Sequence, residues 1–251
     1  MKFVYNPDYV YAPNGSGLGD ILTSLCFASH IAEASSRPIS VSDWYYKRDR
    51  VTVKDCHAKI TECLDLMNDA AASRIVITTD EPDETFKWQH CYGWKYPKSK
   101  IVWDSAPQQT KYVCYQFDGK SHCEKNFSKE EEELVLGNIR SFGYDTVRLG
   151  GHLKLKECLM LLRNATAFVG IDSGFTHLSM MSGLPIFISR NGRSVVDMRH
   201  TYNDNDYVMA EDSRDLVNML IVFLRRLSPD FDFYDYHSKK GTYEQKNPLS
   251  C

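Results

Sequence analysis

The chain has 251 residues, 43% of them hydrophobic and 25% charged, with 30 basic against 33 acidic side chains and a formal net charge of -3. That apolar content excludes disorder as the main state, and the mild acidity excludes a general affinity for nucleic acid, so any anionic partner must be held by a local basic patch. No apolar run approaches the roughly 18 residues of a bilayer span, and Met1-Lys2-Phe3-Val4-Tyr5-Asn6-Pro7 reaches proline before a signal-peptide core forms, so a cytoplasmic location is expected.

Lys2 to Tyr5 has the composition of a strand, which Tyr9 to Tyr11 extends or pairs as a hairpin. Asn14-Gly15-Ser16-Gly17-Leu18-Gly19-Asp20 is a glycine-rich turn, after which Ile21, Leu22, Leu25, Ala28, Ser29 and Ala32 fall on one helical stripe that Arg37-Pro38 ends. Ile39 to Val41 reads as a strand and Cys56 to about Ala71 as a helix with Ile60, Cys63, Leu64 and Met67 inward. Arg74 to Thr78 is a third strand, closed by the acidic turn Asp80 to Glu84. Tyr96-Pro97 to Gln108-Gln109 contains two prolines and no helical pattern, which places a boundary near residue 108.

The second half repeats the alternation. Lys111 to Phe117 is a strand, and Ser128 to Phe142 a helix whose Ser128 and Glu131 have capping-box spacing. Strands at Asp145 to Leu149, Ala167 to Ile171 and Pro185 to Ser189 alternate with helices at Leu153 to Arg163 and Phe175 to Ser182. Tyr207-Val208-Met209 precedes a last helix with Leu216, Leu220, Phe223, Leu224 and Leu227 inward, capped by Asp212 or Ser213. This alternation predicts two Rossmann-like parallel-sheet α/β domains facing a cleft, residues 1–108 and 109–227, followed by a surface tail, 228–251. Ligands in such sheets sit at the carboxyl ends of strands.

Two turns stand at such ends. Gly15-x-Gly17-x-Gly19-Asp20 brings backbone amides within reach of a phosphate or sugar, but its spacing is not the dinucleotide fingerprint GxGxxG. Asp20 either carries chemistry or complements the helix dipole. Asp43 stands where a dinucleotide enzyme holds its ribose, so an NAD-dependent oxidoreductase is a rival reading. The second turn is Val169-Gly170-Ile171-Asp172-Ser173-Gly174-Phe175-Thr176-His177. Its serine misses the GxSxG nucleophile elbow by one residue, which favours anion binding at a helix start over hydrolysis. The eight cysteines show no CxxC pair, His90-Cys91 and His122-Cys123 place adjacent side chains on opposite sides of a strand, and no metal site is expected.

Taken together, Gly17-Leu18-Gly19-Asp20 and the stretch Asp172-Ser173-Gly174-Phe175-Thr176-His177 through Gly183-Leu184-Pro185 resemble glycosyltransferase family 9, the heptosyltransferases. In that family the motifs look like GGLGD and DSGxxHxAxxxGxP. Val147 to Gly151 and Leu159 to Ala165 look like its lead-in to the second motif. The resemblance implies a GT-B fold and inverting, metal-independent transfer of a sugar from a nucleotide-diphosphate donor, a co-substrate rather than a cofactor. It implies Asp20 as general base, Gly17 and Gly19 near the ligand, and Asp172, Ser173, Gly174 and His177 around the donor diphosphate. Lys125, in a loose match to a family K-x-W-P segment, is expected at the phosphates, with Lys120 as a second choice. A binding module of the same fold that has lost catalysis is the rival from another class.

The segment from Lys87 to Lys100 interleaves lysines with aromatics and carries no acid, a composition suited to a phosphate-bearing acceptor. Lys87, Trp88, Trp94, Lys95, Tyr96 and Lys98 are its candidate contacts, and Tyr45 to Arg50 forms a weaker second patch. Such an acceptor is a lipopolysaccharide-type glycan or, in a phage-type enzyme, a modified DNA base.

Overall fold

The computed structural model describes residues 6–13, 15–47, 50–52, 56–67, 72–86, 110–119, 126–189 and 207–228. The first part runs β1 (Val10–Ala12), α1 (Leu18–Ser35), β2 (Ile39–Ser42), β3 (Tyr45–Lys47), β4 (Arg50–Thr52), α2 (His57–Met67), a 3-10 turn (Ala72–Arg74), β5 (Ile75–Thr78) and β6 (Glu84–Thr85). The second runs β7 (Tyr112–Gln116), α3 (Lys129–Ser141), β8 (Asp145–Arg148), α4 (Leu155–Asn164), β9 (Ala167–Ile171), α5 (Gly174–Met181), β10 (Ile186–Ser189), β11 (Tyr207–Ala210) and α6 (Leu216–Leu227). Among the described residues no helix is long and apolar enough to cross a membrane.

The strands form two parallel sheets, ordered β5-β2-β1-β6 and β11-β10-β9-β7-β8, with β3 and β4 as a separate antiparallel pair. In each parallel sheet the strand order reverses once, at β1/β6 in the first and at β7/β9 in the second. The carboxyl ends at such a reversal diverge and leave a crevice for a ligand. The glycine-rich turn follows β1, and Asp172 follows β9.

The second sheet is covered on both faces, and its strands accordingly lack polar alternation. All five residues of β9 are buried. Phe168 joins Cys114, Ile186 and Ile188 on one face, while Ala167 and Val169 join Val113, Phe187, Leu220 and Phe223 on the other, as the period of two requires. Gly170 fits because a Cβ there would stand 2.6 Å from the Gln116 carbonyl oxygen and 2.8 Å from the Phe168 ring. The first face continues without a break into the other sheet: one hydrophobic cluster runs from Tyr11, Ile39 and Val41 through α1 to Leu178, Met181 and Ile186. The boundary expected near residue 108 lies outside the described residues, as do most of the tail and the strand expected at Lys2 to Tyr5.

Local readings hold where a full period is available. The α1 stripe is buried as expected, but Thr23 and Ser24 are buried too, because α1 packs on its own sheet and also on α5. Ser24 Oγ satisfies itself on the Asp20 carbonyl at 2.7 Å. A left-handed Ser36 (φ 54°) ends α1 just before Arg37-Pro38. The capping box of α3 is present: Glu131 N–H donates to Ser128 Oγ, and Ser128 N–H donates to Glu131 Oε2 at 2.8 Å.

Three readings change. Tyr9 to Tyr11 forms no hairpin, since β1 pairs in parallel with β2 and β6. The β3–β4 hairpin and β6 go beyond the predicted elements. At α6 the N-cap is Asp215, while Asp212 lies one turn earlier and its carboxylate accepts from the N–H groups of Arg214 and Asp215.

Candidate functional site

The two strand-turn-helix units meet at their helix starts. After β1, Gly17 caps α1 without any side-chain hydrogen bond, and Asp20 stands in the first turn. The Asp20 carboxylate folds over the loop, so a Cβ at Gly15 or Gly17 would lie 2.6 or 2.8 Å from its Oδ2. A side chain at either position would push the Asp20 carboxylate aside, and neither glycine has a positive φ. From α2, Lys59 Nζ donates to the Ser16 carbonyl at 2.9 Å, setting an ammonium beside the turn.

After β9, Ser173 is the N-cap of α5 and its hydroxyl donates to Gln116 Oε1 at 2.5 Å. Thr176 Oγ1 donates to the Ile171 carbonyl at 2.5 Å and so ties the first turn of α5 to the strand. His177 is only 5% exposed. Its Nε2 lies 4.0 Å from Asp172 Oδ1 and its Nδ1 lies 3.5 Å from Thr23 Oγ1 of α1. The imidazole therefore links the two halves.

Glycines permit the crossing. A Cβ on Gly19 would meet His177 Cδ2 at 2.7 Å, and one on Gly174 would meet Leu18 Cβ at 2.6 Å and the Gly19 nitrogen at 3.1 Å. Gly17, Gly19, Asp20, Asp172, Ser173, Gly174 and His177 are thus gathered around one contact, although about 150 residues of chain separate the two turns. Helix N-termini carry a partial positive charge and free N–H groups. Two of them meeting beside an imidazole can attract an anion, and the two carboxylates near them can accept protons or hydroxyl hydrogen bonds.

Lys120 and Lys125 lie outside the described residues, but both ends of their loop are in place. Gly119 N–H donates to Asn126 Oδ1 at 2.7 Å and Phe127 N–H to the Phe117 carbonyl at 3.0 Å, next to the exit of β7. Lys87, Trp88, Trp94, Lys95, Tyr96 and Lys98 lie outside the described residues, as do His90-Cys91 and His122-Cys123. Asp43 is described: it is 9% exposed at the exit of β2, its N–H donates to the Thr78 carbonyl, and its Oδ1 has no hydrogen-bond partner. The described cysteines are buried thiols, and burial pushes Cys63 and Cys114 up to about 12, far from reactive thiolates. Among the described residues no group of three or more His, Cys, Asp or Glu is placed to hold a metal ion.

Gln116, Thr23 and Lys59 escaped the sequence reading. Each looks like an ordinary polar position on its strand or helix, and its partner is remote in the chain.

Residues 122–187 match the model of glycosyltransferase family 9 (heptosyltransferase), a segment that contains the whole of Asp172 to Pro185. No curated protein matches the chain. Among solved structures, the chain is similar to the dodecameric iron-containing heptosyltransferase TibC in complex with ADP-D-beta-D-heptose, at 14% identity over 90% of this chain and 78% of that one, with a TM-score of 0.55. It is similar to the E. coli heptosyltransferase WaaC with ADP-2-deoxy-2-fluoro heptose at 13% identity over 86% of this chain and 98% of that one, TM-score 0.50. A further structure, TibC from enterotoxigenic E. coli H10407, shares 16% identity over 75% of this chain, which spans 59% of that chain's length, TM-score 0.48. The resemblance to glycosyltransferase family 9 and the GT-B type of fold are borne out.

Proposed function

We propose that this chain, which carries the glycosyltransferase family 9 signature across residues 122–187, moves a sugar from a nucleoside diphosphate to an acceptor hydroxyl in a single inverting displacement without a metal. The observation that carries the reading is the crossing of α1 and α5, in which Leu18 and Gly19, the neighbours of Asp20, pack on Gly174 and His177. The donor diphosphate lies against the start of α5, where the Gly174 and Phe175 amides face its oxygens and His177 adds a donor. Asp20 takes the proton of the acceptor hydroxyl as its oxygen bonds the anomeric carbon. The bond from that carbon to the diphosphate breaks on the opposite side, and the negative charge that leaves with the diphosphate is met by the helix terminus. The described residues on either side of Lys120 and Lys125, Gly119 and Asn126, stand next to the exit of β7, which supports Lys125, with Lys120 as second choice, as a further phosphate contact.

The iron named for TibC belongs to that protein. ADP-sugars are the first donors to test, because the two heptosyltransferase structures hold an ADP-heptose and its fluoro analogue. For the acceptor we favour a lipopolysaccharide-type glycan, held by Lys87, Trp88, Trp94, Lys95, Tyr96 and Lys98, over a DNA base, since the net charge of -3 gives no general attraction to nucleic acid.

Thermal melting against nucleoside diphosphates, nucleotide sugars and NAD(P) tests the donor site. A ligand at about 100 times its Kd adds about 2.7 kcal/mol, roughly 5 to 11 °C at this chain size. A shift with one nucleoside diphosphate and its sugars is expected. A shift with NAD(P) alone would make the chain an oxidoreductase with Asp43 at the ribose. Donor binding without turnover on any glycan would leave a binding module.

A further inference from the structure

Serine is among the strongest N-capping residues because its hydroxyl oxygen normally accepts from the N–H of the second or third helical residue. Ser173 stands at the N-cap of α5 in extended conformation, yet its side chain makes no such bond. Its hydroxyl is turned the other way, onto Gln116 Oε1. Gln116 is well placed to hold it. It is the last residue of β7, only 9% exposed, and its backbone is fixed by pairing with Gly170 of β9 and by the close approach of its carbonyl to that glycine. β7 and β9 are the strands between which the second sheet reverses its order, so Gln116 and Ser173 stand on the two sides of one crevice.

We infer that Gln116 is a positioning residue for the donor diphosphate: by drawing the Ser173 hydroxyl off the cap, it keeps the first N–H groups of α5 open for phosphate oxygens. The inference rests on the donor site proposed above and adds what keeps that site vacant for its ligand. In the absence of ligand the helix forgoes the stabilisation of a cap, and the phosphate supplies it on binding. Gln116 and Ser173 therefore act as a coupled pair, and the coupling has a signature that a purely structural glutamine lacks.

The test uses Gln116→Met, which keeps length and bulk but offers only a weakly accepting thioether, alone and in a Ser173→Gly background, where no side chain is left to cap the helix. Titration calorimetry with ADP, UDP, GDP and CDP is paired with melting of the unliganded protein. For the wild-type ligand, Gln116→Met is expected to weaken binding about tenfold, as loss of a charge-assisted hydrogen bond does, and to raise the donor KM while kcat is retained. The unliganded melting temperature is expected to hold or rise, because Ser173 returns to the cap. In the Ser173→Gly background the same substitution should leave affinity unchanged. Wild-type affinity in Gln116→Met, or an equal loss with and without Ser173, overturns the inference. If the wild-type chain binds none of the four nucleotides, the donor-site reading itself fails, and this inference falls with it.

Discussion

Asp20→Asn is expected to lower kcat by about 100- to 10,000-fold while leaving nucleoside diphosphate affinity within about twofold, the range lost when a positioned general base is removed. Asparagine has the shape of aspartate, so the close fit of the side chain over Gly15 and Gly17 survives the change. What disappears is the ability to take a proton. The competing role for Asp20 is complementing the dipole of α1, where it stands in the first turn. Losing that role costs about 0.3 to 1 kcal/mol of stability and no catalysis. Measuring kcat and melting temperature on the same variant separates the two: a small drop in melting temperature with full turnover would leave Asp20 as a helix-terminal charge and require another base.

The second large effect is expected from Gly174→Ala. The added methyl would stand 2.6 Å from Leu18 Cβ and 3.1 Å from the Gly19 nitrogen, atoms of α1 that no side-chain rotation can move aside. The helices must separate, at about 1 to 3 kcal/mol for overpacking, or roughly 2 to 12 °C in melting temperature. A separation near 1 Å at the crossing also displaces His177 from Thr23 and the donor turn from Asp20, and a misplacement of that size costs on the order of 100-fold in rate. Gly19→Ala is the milder comparison. Its methyl meets an edge carbon of the His177 imidazole at 2.7 Å, and a side chain can give way. Calorimetric melting and steady-state kinetics of the two variants check the order; equal effects would show that the contact yields as readily at the backbone as at the ring.

How far the sequence foretold the structure differs from element to element. The unit β9–α5 was legible because an apolar run of strand length, three small or polar residues and a helical stripe follow one another within about 15 residues. Ser128 to Glu131 was legible because a capping box is local chemistry. The hairpin β3–β4 and the two-residue β6 were not, since strands this short show less than one clear alternation and owe their existence to partners. Thr23 and Ser24 lie off the apolar stripe of α1 and are buried because α5 arrives there from the other half of the chain. The motif residues stood out because two turns resemble one family's pattern. Gln116 did not, because nothing near it in sequence reveals a partner 57 residues away.

The hydrophobic cluster that passes unbroken from β1 and β2 through α1 to α5 ties the stability of one sheet to ligands bound at the other. Anything that binds the folded chain at the start of α5 must also suppress openings of α1, since the two helices share one packed contact. Amide hydrogen exchange in β1 and β2 is therefore expected to slow when a nucleoside diphosphate binds at the start of α5.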